Sequence, residues 1–219
     1  MSTYDLMVFL HIMLLVFWLG TDLGVFLAAK RSERSDLSME TRATILQLGM
    51  VLDRLPRSCL TLITPSGLYL ASKLGLITPV AWLLPSLWLL SAVWLVVLWA
   101  GFLNPESAVE KPALLINLAL NAIMALLLTP YAAYLLWAGE VATWLSVKIL
   151  VVGLIFCSGV LLDVLFKPAV EAFTALIAEG PTPERDAVYA KAIGPVYKVV
   201  LVIYALVLVA AFMGVIKPF

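Results

Sequence analysis

Charge is what this sequence has least of. Only 13% of its 219 residues are Asp, Glu, Lys or Arg, 63% are hydrophobic, and the mean hydropathy is +1.07. A soluble domain carries about a quarter charged residues, so this chain lacks the polar surface to cover a globule in water. The few charges balance to a formal net charge of zero, which argues against a nucleic-acid partner. Cysteine is nearly absent. Cys59 and Cys157 sit in or beside apolar runs, which is neither a disulfide framework nor a zinc motif. A cleavable signal peptide is also missing from the expected picture: the first apolar run, residues 4–29, is too long for one and no small-residue cleavage site follows it.

What the sequence has in abundance is long apolar runs. They fall at residues 4–29, 58–77, 80–103, 112–137, 142–166 and 194–216. Each is long enough to cross a bilayer, which takes about 20 residues. The predicted fold is an all-α integral membrane protein, a single domain over residues 1–219, with about six transmembrane helices in a lipid bilayer. Residues 31–57 begin polar and then place Ile45, Leu48, Val51, Leu52 and Leu55 at helical spacing. This predicts an amphipathic helix lying on the membrane or leaning into the bundle. Residues 170–178 read as a separate short helix, followed by a break at Gly180-Pro181-Thr182-Pro183, with Thr182 as N-cap and Pro183 opening the next helix.

Basic residues orient the bundle. Six crossings put both termini on one side. The loops opposite hold Lys30, Arg31, Arg34, Arg42, Arg54, Arg57, Lys111, Lys167, Arg185 and Lys191, whereas the terminal side holds Lys73 and Lys217. Lys and Arg accumulate on the cytoplasmic side. The expectation is therefore a bacterial inner (plasma) membrane with both termini outside, and Trp82, Trp137 and Trp144 in the outer aromatic belt. A repetition is also visible: Thr64-Pro65 precedes Tyr69, and Thr129-Pro130 precedes Tyr134. Duplication of a helix pair and chance both explain it.

An ionisable side chain inside a membrane needs a partner or a purpose. Asp163 stands four residues before Lys167 and is expected to pair with it. Asp22 is expected either to pair with Arg54 or Arg57 or to relay protons. His11, the single histidine, lies roughly 10 Å below the outer end of the first helix, and Lys148 roughly 9 Å below the outer end of the fifth. They share a depth, and Tyr69 and Tyr134 approach it. This describes a polar pocket opening outward, unless Lys148 snorkels and His11 merely bonds a carbonyl. A lone imidazole suits haem iron, with Lys148, Met7 or Met13 as candidates for the sixth position. Imidazole and thioether also suit Cu(I).

The first helix carries Leu10-His11 and then Trp18-Leu19-Gly20, and the fifth reads Trp144-Leu145-Ser146-Val147-Lys148-Ile149-Leu150. With Arg54-Leu55 and Ile63-x-Pro65, this resembles a membrane superfamily. It includes the HemJ-type protoporphyrinogen oxidase, copper-resistance protein D and the membrane domain of a urate oxidase. Asp22 and residues 31–57 have no counterpart there, and HemJ proteins are generally shorter by a helix pair. The resemblance implies haem b on His11 and Lys148. Trp18 shares the motif, and Tyr69 and Tyr134 are candidate neighbours by their depth. Lys148 and, as an ionisable group within the first helix, Asp22 could serve redox chemistry. It also leaves open a copper-handling protein or a non-catalytic anchor subunit. A small molecule or a redox protein would be the partner.

Overall fold

Residues 2–218 of the computed structural model are described. They form seven helices, and no strand occurs among them. Five are long and apolar enough to cross a membrane: α1 (Thr3–Ser32), α4 (Leu83–Leu103), α5 (Glu110–Ala138), α6 (Thr143–Glu179) and α7 (Pro183–Ile216). The protein is thus an integral membrane helical bundle. α3 (Arg54–Lys73) has 20 residues but interleaves Arg57, Ser58, Thr61, Thr64 and Ser66 with its apolar side chains. It lies between α1 and α4, and its polar side chains face the other helices.

The helices form a ring in the order α1, α3, α4, α5, α6, α7, the last returning to α1 through a sparse seam. Leu14 and Trp18 of α1, Cys59 of α3, Val151 and Ile155 of α6, and Ile203 and Val207 of α7 meet in the middle. Trp94 of α4 stacks on Phe156 of α6 beside Met124 of α5. Small residues bring neighbours close, as membrane helix contacts require. A Cβ at Gly153 would stand 2.6 Å from Thr129 Oγ1 and 2.9 Å from the Thr129 backbone nitrogen, so α5 and α6 touch nearly backbone to backbone there.

The amphipathic segment takes the second of its two expected courses. α2 (Met39–Leu52) folds back along α1, with Gly49 against Ala28, and packs Met39, Ala43 and Leu46 on α6 and α7 at the end that carries the basic loops. The expected stripe is only partly its bundle face: Leu52 packs toward Gly24 of α1, whereas Leu48 and Val51 are exposed and Leu55 belongs to α3. Arg42 and Gly49 are the fully buried residues of this helix. Arg42 is 1% exposed, donates from Nε to the Ser32 carbonyl at 2.7 Å and lies 2.8 Å from Asp186 Oδ1. It ties α1, α2 and α7 together.

The expected break before residues 170–178 is absent. α6 runs unbroken for 37 residues, through Pro168, and stops at Gly180 with a positive φ of 84°. Pro168 removes one helix hydrogen bond, but Ala169, Phe173 and Leu176 beyond it are buried against Tyr189, Ile193 and Tyr197 of α7. That packing outweighs the lost bond. At about 55 Å, α6 exceeds the roughly 30 Å hydrocarbon core, so the α6–α7 hairpin projects beyond the end that carries the basic loops. Thr182 caps α7 as expected, accepting from the Arg185 N–H, with Pro183 in the first turn.

Candidate functional site

One face of α1 organises the interior. His11, Trp18 and Asp22 are separated by seven and then four residues, which places them on one side of a helix. Depth along that face separates two polar regions: an outer one, toward the end of the bundle that holds the chain termini, and an inner one, toward the end with the basic loops.

The outer region centres on His11. Its Nδ1 lies 2.8 Å from Ser66 Oγ of α3, and Ser66 Oγ also lies 2.9 Å from the Ile63 carbonyl. With its one proton on that carbonyl, the serine accepts from His11 in the tautomer protonated at Nδ1, and in that tautomer Nε2 keeps its lone pair. Gly67 leaves the flank of the ring open: a Cβ there would approach Cε1 to 3.3 Å and Nε2 to 4.0 Å. Lys148 reaches in from α6, within electrostatic range of the imidazole. Its amine lies over Gly214 of α7, where a side chain would displace it. Among the described residues its ammonium has no hydrogen-bond or ion-pair partner.

Lys148 lies within electrostatic range of His11, whereas Tyr134 stands apart. Tyr134 is 47% exposed and donates to Glu140 at 2.9 Å, on a helix that does not touch α1. Tyr69 stacks under Lys73, whose Nζ is 5.6 Å from its ring centre. Trp18 is buried two turns deeper, in the core. Lys217 over the Trp144 ring and the exposed Trp82 and Trp137 decorate the same end of the bundle, as an interfacial belt does.

The inner region was only partly legible beforehand. Asp163 does not pair with Lys167. It binds Arg57 of α3 at 2.9 Å and accepts from Asn117 of α5 at 3.3 Å. Arg57 also holds Asp53 at 2.6 Å. One guanidinium thus satisfies two carboxylates, one of them on a helix distant in sequence, and a local pair with Lys167 would leave Arg57 short of charge. Asp22 makes no ion pair with Arg54 or Arg57. It faces the same cavity, with the Tyr204 hydroxyl of α7 beside it but not in hydrogen-bonding geometry. Arg54 lies 5.7 Å from the Phe102 ring. Asn117 in turn accepts from the Trp94 indole at 3.0 Å.

The outer region offers one neutral imidazole nitrogen and one ammonium, the means to ligate an iron centre and to hold a carboxylate. Among the described residues no three His, Cys, Asp or Glu side chains gather as a metal site. No protein family, curated protein or solved structure matches this chain.

Proposed function

We propose that this is a haem-b-binding membrane protein of the HemJ-like kind, acting in electron transfer or redox chemistry, with His11 as axial ligand. The supporting observation is the Ser66 hydrogen bond. It holds the imidazole in the tautomer and orientation that leave Nε2 free, the arrangement by which a second partner prepares a metal-ligating histidine. The residues fit the group in chemistry: one free imidazole nitrogen, a glycine flank at Gly67, and a cation for an acidic propionate. Bound there, haem would supply one-electron redox chemistry. The chain's own part is to orient the imidazole through Ser66, to place the Lys148 ammonium near a haem carboxylate or a transferable proton, and to exclude water with apolar helices. The ten-to-two distribution of basic residues supports six crossings, α3 included, with both termini outside and His11 in the outer half.

Purified protein expressed with ample haem should show a Soret band, and His11→Ala should fold but be pale. Wild-type protein without haem would overturn the reading; bound copper in its place would favour the copper-handling alternative. Lys148→Met should retain haem with an altered spectrum or potential, and an unchanged spectrum and turnover would remove Lys148 from the site. A reporter at the C-terminus should be active only in its exported form.

A further inference from the structure

Every helix of the ring contributes to one partly open cavity of about 60 Å³ in the inner half, large enough for a few waters. Three carboxylates, Asp22, Asp53 and Asp163, face it with the single cation Arg57. Asp53 and Asp163 are committed to that guanidinium. Asp22 is not.

A second, independent feature points at the same space. Asn121 of α5 is 5% exposed. Its Nδ2 donates to the Asn117 carbonyl at 2.8 Å and approaches Asn117 Oδ1 at 3.2 Å. Both are acceptors, which fixes the amide orientation: nitrogen toward Asn117, oxygen away. Oδ1 is buried and has no partner. It looks across at Gly159 of α6, where a Cβ would stand 3.7 Å away, and both residues line the cavity. A buried carbonyl oxygen without a donor is costly. What satisfies it must donate or carry positive charge, and the surplus of carboxylate over guanidinium favours charge.

We infer that this cavity binds one small monovalent cation, Na⁺ or a close relative, with the Asp22 carboxylate and Asn121 Oδ1 as protein ligands and waters completing an all-oxygen shell. Hard cations of this kind take oxygen ligands. The site is built by α1 and α5, whose backbones do not approach each other closely, so the ion would join opposite walls of the ring. The inference does not depend on haem.

The test uses the full chain in detergent or nanodiscs. NaCl, LiCl or KCl replaces choline chloride at constant ionic strength and pH, and unfolding is followed by intrinsic tryptophan fluorescence. A ligand that binds only the folded state raises Tm saturably. The expected result is such a rise with at least one of these ions in the wild type, lost in Asp22→Asn and weakened in Asn121→Leu, which removes Oδ1. If Asp22→Asn does not accumulate, Asn121→Leu carries the localisation. No ion-specific rise in the wild type overturns the inference, leaving the oxygen to water. Stabilisation by acidification alone overturns it in favour of a proton. A wild-type rise that persists in every variant obtained places the ion elsewhere and overturns it too.

Discussion

The two polar regions of the bundle are built on opposite plans. In the inner half each charge is answered: Arg57 holds Asp53 and Asp163, and Asn117 links Asp163 to Trp94. Asp22, the Tyr204 hydroxyl beside it and Asn121 Oδ1 are exceptions. In the outer half almost nothing is answered. His11 has one hydrogen bond and Lys148 has no partner among the described residues. Burying polar groups is tolerable when they satisfy one another. A region that satisfies itself holds helices together, and one that does not is poised for something from outside. Stability should therefore reside in the inner network and ligand binding in the outer pair.

The sharpest way to break that comparison is Arg57→Met. It strands two carboxylates; removing one partner of a fully buried pair costs roughly 3–5 kcal/mol, and this network is only half-buried, so that figure is an upper bound. Unfolding in mixed micelles should show a loss approaching that size; a small effect would mean that the inner network is solvated rather than structural. Next comes Gly153→Ala, which forces a methyl onto the Thr129 backbone. Overpacking of this kind costs about 1–3 kcal/mol, and the same assay reads it. In the outer half Ser66→Ala should cost only about 1 kcal/mol. Its main effect should be on the imidazole, which loses its orienting partner, so haem content or the Soret position should shift more than Tm. Tyr134→Phe sets the baseline. Its side chain is exposed, and stability should stay within about 0.5 kcal/mol of wild type, with an unaltered spectrum.

Depth was legible in the sequence and direction was not. A helix advances 1.5 Å per residue, so counting from its end located His11 and Lys148 at one level, and the structure places the two within electrostatic range. The same counting placed Tyr134 at that level, yet α5 stands across the ring from α1 and its tyrosine faces outward. Neighbour order in the ring is set by packing at residues such as Gly153 and Gly49, which no run of hydropathy reveals. Local signals served well. Thr182-Pro183 announced the start of α7 because a cap is a property of adjacent residues. Residues 170–178 do not stand apart as a separate helix, because a proline such as Pro168 breaks a helix only when nothing beyond it packs. Asp163 misled for a related reason: its partner Arg57 is remote in sequence, whereas the spacing to Lys167 was the only pairing visible locally. Arg42 looked like one more basic loop residue; its burial depends on α7 folding back over α2.

The composition of α3 bears on how the chain is made. An arginine in a nascent segment disfavours its release into lipid, by about 2.5–3.5 kcal/mol at the centre of a helix and less toward an end, where Arg57 stands in α3. Arg57 emerges from the ribosome four residues after Asp53, so part of its charge is neutralised by a neighbour that travels with it. Its other counter-ion, Asp163, is synthesised only after α4 and α5. Until then α3 is a poorly apolar segment flanked by two strongly apolar ones. It should be retained beside the insertion machinery, or held between α1 and α4, and commit to the bilayer late. Truncation series that end before α6 should leave α3 accessible to water-soluble labels, and extending the chain through Asp163 should close it.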